Sequence, residues 1–382
     1  MKAGFFIIAS IILLFYSAIN YYIYHRVHQA LPDGLASVIL RIIIIVGSIS
    51  FFVGSLLTFK TSSFFADKIY LVGTYWLAYF FYFLLFLVVI DLVRAIHFFV
   101  PILPNIITQN YGLAKIYLLV FVVVTTTAII IAGTFNMYRT QIKNLQLTVN
   151  KQSSEPGTLR IAFVSDIHFG AIFGKAFAEK IVREINETKP DLVLIGGDII
   201  DNNIAPIIRK DILSPFKKLQ SKYGTYACLG NHDYMGDLKM SDSVIRSNNI
   251  ILLRDESVCI DNLFYIVSRE DRMLYQTTGK RRKPLSDLLV GIDKSKLIIL
   301  LDHEPQMLSD AQDNHIDLQL SGHTHYGQMF PIGWIVDKIY ELGWGYLQKG
   351  NTHYYVSCGI GTWGAPVKTG CTSEMVLIEL KY

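Results

Sequence analysis

The sequence predicts two parts in series: a region of membrane-spanning helices, then an α/β domain. Three observations predict this. The 382 residues are 52% hydrophobic, and the mean hydropathy is positive, which is high for a soluble chain. The long apolar stretches are confined to the first 135 residues. From about residue 159 the pattern changes to short apolar runs separated by helix-like stretches, which points to an α/β sheet. Charge divides at the same place. Residues 1–150 carry nine Lys and Arg against three Asp and Glu, and the remainder carries 26 against 28. The basic character therefore belongs to the membrane part, and nothing in the charge pattern calls for nucleic acid as a partner.

Four apolar stretches form the first part, taken as residues 1–149: about 3–24, 42–59, 70–93 and 113–135. Each is long enough to cross a hydrocarbon core as a helix. The first lacks a small-x-small cleavage site and is followed by Tyr21, Tyr22 and Tyr24, so it reads as a retained anchor with an aromatic belt. Asp91 and Arg94, three apart near the end of the third stretch, are expected to pair on one helix face near the headgroups. An even number of spans puts both termini on one side. That side would hold Lys2, Lys60, Lys68, Arg139 and Lys143, and the other would hold Arg26, Arg41, Arg94 and Lys115. Five cations against four favour a cytoplasmic catalytic part by the positive-inside tendency. The expected location is a multi-pass protein of the bacterial inner membrane.

The polar stretch NKQSSEPGT, 150–158, reads as a linker because of its Pro and Gly. Beyond it, LRIAFVSD (159–166), DLVLIGGD (191–198), GTYACLGNHD (224–233), KLIILLDHEP (296–305) and IDLQLSGHTH (316–325) read as buried strands. Helical stretches at about 175–188 and 206–221 lie between them. The four cysteines, Cys228, Cys259, Cys358 and Cys371, form no C-x-x-C pair and are expected to be free, mostly buried thiols.

Each of the five strands stops on a possible metal ligand. The candidates are Asp166, His168, Asp198, Asn231, His232, His303, His323 and His325. Taken singly, each has an ordinary explanation, since an Asp after a strand is usually a turn or cap residue. Their joint occurrence is the signal. In open α/β sheets functional groups gather at the carboxyl ends of strands, so residues far apart in sequence are expected to converge there on one metal site.

In order, SDIHFG, GGDII, GNHDY, LDHEP and GHTHYGQ resemble the five motifs of calcineurin-like metallophosphoesterases. The resemblance covers about 159–382. The closing stretch VSCGIGTWGAPVKTGCTSEMVLIEL is similar to the final strands of the membrane-associated bacterial branch. The resemblance implies a two-sheet α/β sandwich flanked by helices, with two divalent metals. It implies that Asp166, His168 and His325 ligate one ion and Asn231, His303 and His323 the other, with Asp198 bridging. His232 is implied to contact the phosphoryl group and protonate the leaving oxygen, and Asp233 to orient it. Tyr326, where family members often have glycine, either stacks on substrate beside Asn231 and His232 or is ordinary surface. The segment IVSREDRM (266–273) also departs from the family, with Ser268, Arg269, Glu270 and Asp271 in place of a glycine and an acidic pair. Imidazoles with carboxylates suit Mn²⁺, the expected metal, or Fe²⁺ or Zn²⁺. Such a pair, roughly 3.5–4 Å apart, lowers the pKa of a shared water so that hydroxide forms near neutral pH and attacks phosphorus in line.

Two stretches bear on the substrate. GKRRKP, 279–284, is either a solvated loop or a contact for anionic headgroups. The aromatic run MFPIGWIVDKIYELGWGYL, 329–347, either faces lipid or covers the sheet as core. Four spans exceed what tethering needs, so membrane lipids and a lipid-linked phosphodiester or pyrophosphate are the expected partners. The layout is similar to membrane-bound UDP-2,3-diacylglucosamine pyrophosphatases. The alternatives are the same chemistry on a soluble nucleotide or phosphoprotein, and a non-catalytic metal-binding sensor.

Overall fold

A computed structural model of the chain describes residues 2–61, 63–151 and 157–382, with the side chains of Lys2–Phe6, Ile8 and Ala9 left out. The chain divides into two compact units, Met1–Ala132 and Gly133–Tyr382.

The first unit contains α1 (Lys2–Ala30), α2 (Leu35–Thr61), α3 (Phe64–Phe99), the single turn α4 (Asn105–Gln109) and most of α5 (Tyr111–Tyr138). Among the described residues, α2, α3 and α5 are long and apolar enough to cross a membrane. This corrects the expected four spans to three. The stretch 3–24 does form a helix, but Asn20, His25, Arg26 and several tyrosines dilute the apolar character of its described part. The cation count that favours a cytoplasmic catalytic part requires an even number of spans, and the described residues supply three candidates. Helices α2 and α3 form a hairpin whose second helix starts at Ser63, where the side chain accepts from the Ala66 amide at 3.1 Å. Their backbones come so close that a Cβ on Gly73 would lie 2.3 Å from Phe51. Only glycine fits there, as in other close membrane-helix contacts. Asp91 pairs with Arg94 at 2.9 Å, as expected, and also with Arg26 and Tyr22 of α1.

The second unit is a sandwich of two six-stranded sheets. One has the order β1 (Gln141–Thr148), β12 (Glu374–Lys381), β2 (Thr158–Val164), β3 (Leu192–Gly196), β4 (Thr225–Cys228), β5 (Ile251–Leu252). The other has the order β10 (Gly345–Lys349), β11 (Thr352–Val356), β9 (Leu318–Ser321), β8 (Leu297–Leu301), β7 (Phe264–Ser268), β6 (Glu256–Ile260). The strands are apolar on both faces because both faces are covered. Leu159, Ile161 and Phe163 of β2 meet Leu297, Ile299 and Leu301 of β8 in one core. Ala162 and Val164 point the other way, under Phe177, Ile181 and Ile185 of α6 (Lys175–Glu187). On the far side Ile298 and Leu300 pack beneath Leu285 and Leu288.

Two expectations change here. The domain was expected to begin at 159 after a linker at 150–158. Instead β1, before the linker, runs parallel to β12 in register from Gln141↔Glu374 to Thr148↔Lys381. Residues 152–156 of that linker lie outside the described residues. The helix expected over 206–221 is broken into α7 (Ala205–Lys210) and a short 3₁₀ turn, Ser214–Lys218. Asp211 ends α7 in a left-handed conformation, and Pro215 cannot continue the ladder.

Candidate metal centre

Strands β2, β3 and β4 are parallel neighbours, as are β8 and β9, so the segments leaving their carboxyl ends emerge together. Asp166 and His168 follow β2 and Asp198 follows β3. Asn231 and His232 open α8 (Asn231–Met235) after β4, while His303 follows β8 and His323 and His325 follow β9. At five of these residues the backbone turns left-handed: Asp166, His168, Asp198, His323 and His325 have φ of 53°, 54°, 51°, 71° and 46°. Non-glycine residues rarely occupy this region, and each instance costs on the order of 1–3 kcal/mol unless its surroundings fix it. Backbone bonds fix two of them directly. The Ile167 and His168 amides both donate to the Asp198 carbonyl, at 2.9 and 3.0 Å, and the Asp166 amide donates to Gly197. Gly322 explains the glycine before the first histidine of its motif, since a Cβ there would stand 2.2 Å from Asp166 Oδ2.

These turns bring the two sheets' donors together. Nε2 of His168 and Nε2 of His325 lie 3.0 Å apart, and His325 Nε2 is 3.4 Å from Asp166 Oδ1. Asp198 Oδ2 lies 3.3 Å from His303 Nε2 and 3.6 Å from His168 Nε2, between the two groups. Asn231 Oδ1 and His323 Nδ1 are 2.8 Å apart. Donors bound at about 2.1 Å to one cation sit roughly 3 Å from each other, so these separations fit a shared ion. The remaining atoms are held from outside. The His323 amide donates to Asp166 Oδ1 at 2.9 Å, and His303 Nδ1 is 2.7 Å from the Gly196 carbonyl. That contact aims His303 Nε2, which is buried without a hydrogen-bond partner among the described residues, at Asp198.

The electrostatics favour a cation. Burial pushes the His168 imidazole down to about 3 and His323 down to about 4, and it holds His325 well below its usual value. All three are neutral at pH 7 with lone pairs available. Burial pulls Asp198 upward, but His303, His168 and His232 outweigh it and keep the carboxylate ionised. Asp166, His168 and His325 offer three ligand atoms close enough for one ion, and so do Asp166, Asp198 and His303. The residues therefore fit the divalent metals that the five motifs imply.

His232 stands at the edge of this cluster, its ring edge-on to His168 at 4.7 Å between centroids. Its amide donates to Asp198 Oδ1 at 2.8 Å, and its Nδ1 is 3.1 Å from Asp201 Oδ1. Burial lowers its pKa, but the bond to Asp201 and the charge of Asp198 raise it above the usual imidazole value. This corrects the expected role of Asp233. That carboxylate accepts from the backbone amides of Gly230, Ile199 and Ile200 at 2.9, 3.3 and 2.8 Å, so it braces the two loops and does not touch the His232 ring. Burial pushes its carboxyl up to about 7. Asp201 was missed, although a second carboxylate three residues after Asp198, in GGDIID, is visible in the sequence.

Tyr326, left open between substrate stacking and ordinary surface, has its contacts with the segment that follows its motif. Its hydroxyl donates to Asp337 Oδ2 at 2.8 Å and its ring lies 5.3 Å from that of Trp344, so its partners belong to the segment after the motif rather than to the cluster. The aromatic ring beside His232 is Trp363, at 6.2 Å. The SREDR residues are likewise engaged internally. Arg269 bonds Asp302 and Asp310, Glu270 accepts from Arg254 and Tyr234, and burial pushes Asp271 up to about 7. In GKRRKP, Arg282 bonds Asp302 at 2.9 Å and the Lys283 amide bonds Asp255, while Lys280, Arg281 and Lys283 are exposed. The four cysteines are free, and all but Cys259 are buried.

A family model described as calcineurin-like phosphoesterase matches residues 159–327. An uncharacterised metallophosphoesterase of Helicobacter pylori is 33% identical over 248 residues, covering 63% of this chain and 64% of the relative. One of Campylobacter jejuni is 32% identical over 285 residues, 72% of each chain. A Danio rerio protein named a transmembrane protein with metallophosphoesterase domain is 29% identical over 280 residues, 69% of this chain and 62% of that one. The chain thus spans 64% of the length of the Helicobacter relatives it matches.

Proposed function

The chain belongs to the calcineurin-like phosphoesterase family, and from that premise we propose that it is a membrane-anchored hydrolase of a phosphodiester or pyrophosphate on a lipid or lipid-linked substrate. The observation that carries the reading is the position of Asp198 Oδ2 between His303 and His168, at 3.3 and 3.6 Å from their Nε2 atoms. Asp166, His168 and His325 would hold one divalent ion and Asn231, His303 and His323 the other, with Asp198 shared. Bound there, the ions supply Lewis-acid polarisation of the phosphoryl oxygens and make a water at the site more acidic.

The chain's own residues do the rest. The strand ends fix the donors in left-handed turns, so little reorganisation accompanies binding of a charged phosphoryl group. Asp201 holds His232 through Nδ1 and keeps the imidazole protonated, leaving Nε2 to deliver a proton to the departing oxygen. No side chain in the cluster is placed as a covalent nucleophile. Cys228 lies within β4 and is buried in the core between the sheets. The lipid substrate is supported by the candidate spans in the same chain.

The test is a panel of water-soluble and lipid-linked phosphoesters presented to the purified full chain with added Mn²⁺. The reading expects metal-dependent release of phosphorus-containing product, abolished in Asp198→Asn. Turnover of the soluble set alone would remove the lipid part of the proposal. Turnover of none with metal bound would remove catalysis.

A further inference from the structure

The last residues of α5 belong to the same compact unit as the metal centre, and their contacts trace a path to an exposed apolar surface. The Lys368 amide donates to the Gly133 carbonyl at 2.9 Å, and Asn136 Nδ2 donates to the carbonyls of Lys368 and Cys371 at 2.9 and 2.6 Å. The same loop holds the segment after the last metal motif. The Thr369 and Gly370 amides both donate to the Gln328 carbonyl at 3.0 Å, and the Phe330 amide donates to Thr369 Oγ1 at 3.0 Å. One loop therefore joins the end of a helix able to cross a membrane to the start of the aromatic run.

That run does not serve as core throughout. In and around the short helix Gly333–Ile339, Gly333 and Val336 are buried, while Phe330, Trp334, Ile335 and Ile339 are 49%, 64%, 59% and 68% exposed. The rings of Phe330 and Trp334 pack edge to face at 5.1 Å. Four large apolar side chains standing out within ten residues are unusual for a water-facing surface. Phe135 and Tyr138, on the last turns of α5, are also exposed, as are Arg139 and Lys338. Aromatic rings and long cations at the end of a span are the composition of the headgroup layer.

We infer that the Phe330–Ile339 surface seats in the interfacial layer of a phospholipid bilayer, beside the point where α5 leaves it, and so holds the metal centre at the level of lipid headgroups. The seating rests on α5 being a membrane span. What it delivers to the site rests on the hydrolysis proposed above. The surface is coupled to that site. Tyr326, next to His325, bonds Asp337 on the short helix, and Tyr340, directly after Ile339, places its ring 6.3 Å from that of His323. Thr324 Oγ1 also donates to the Gly343 carbonyl at 2.6 Å. A lipid whose chains pack along this surface would bring its phosphate toward His323.

The full chain reconstituted in phosphatidylcholine–phosphatidylglycerol vesicles, with and without brominated acyl chains, tests the seating. The difference in emission between the wild type and Trp334→Phe isolates Trp334. Seating in the interface predicts that bromination removes roughly half or more of that difference. A difference untouched by bromination overturns the inference, whether iodide in the water quenches it (open surface) or does not (a protein partner). Delivery of lipid is tested with Trp334→Ser and Ile339→Ser. They should slow hydrolysis of a vesicle-embedded phosphoester about tenfold or more while leaving that of bis(4-nitrophenyl) phosphate unchanged. Equal effects on both substrates contradict delivery. Should the wild type hydrolyse neither, the proposed activity fails, while the quenching result still decides the seating.

Discussion

Asp201 and Asp233 are two carboxylates near one histidine with different tasks, and substitution separates them. Asp201 bonds His232 Nδ1, so Asp201→Asn should lower the His232 pKa. In the proposed role the imidazole acts in its protonated form, so activity should fall as pH rises through its pKa. The basic limb of the pH–rate profile should therefore move to lower pH in Asp201→Asn, and kcat should fall. His232→Ala should reduce kcat by about 10²–10⁴-fold, the usual contribution of a general acid. Asp233→Asn should instead cost about 1–3 kcal/mol of stability, because one acceptor for the loop amides becomes a donor. A Tm measured beside kcat per folded molecule distinguishes the two outcomes. A loss of kcat in Asp233→Asn with Tm unchanged would return the orienting role to that residue.

The candidate ligands that the fold brings together were legible in the sequence because each follows an apolar run and carries a metal-type side chain, as in SDIH, GGD, LDH and GHTH. The partner of His232 was not, because GNHD sets Asp233 next to the histidine in sequence. The fold sends that side chain back to the amides of residues 199, 200 and 230. Tyr326 was ambiguous for a similar reason. Its direction is set by Asp337, eleven residues on, and by a left-handed backbone with φ 46°.

At the scale of elements, the buried strands announced themselves by composition, and β1 did not. QIKNLQLT alternates between half-buried or, at Leu147, buried positions and exposed ones, and its strand partner among the described residues lies more than 200 residues away in β12. No local pattern records such a pairing. It follows that fragment 158–382, which omits β1, leaves the edge of β12 open and should aggregate or unfold more readily than fragment 139–382. Size-exclusion profiles and Tm of the two fragments check this, and equal behaviour would show that β1 is dispensable. The core between the sheets should respond differently from the edge. Phe163 is fully buried there, close against Gly196, and Phe163→Ala should cost about 3–5 kcal/mol in denaturant unfolding of the unit.

For the whole molecule, the sequence conveyed the division into a membrane part and a catalytic part, but it misjudged the boundary, and among the described residues three spans qualify where four were expected. Apolar length alone drew a helix over 3–24 as readily as over 113–135. Among the described residues α2, α3 and α5 qualify as spans, while the side chains of Lys2–Phe6, Ile8 and Ala9 at the start of α1 lie outside them. That last helix also passes without interruption into the catalytic unit, where its end is bonded to the loop at 367–371. The polar stretch 150–158, expected as the boundary linker, therefore falls inside the second unit, which begins at Gly133.

All of this depends on whether strand ends from both sheets hold two cations about Asp198. Anomalous diffraction from the full chain crystallised with Mn²⁺ measures this directly. The account predicts two peaks about 3.5–4 Å apart, one on each side of Asp198 Oδ2. The first would be ringed by Asp166, His168 and His325, and the second by Asn231, His303 and His323. No peak at Asp198, or a single cation held away from it, would contradict the account.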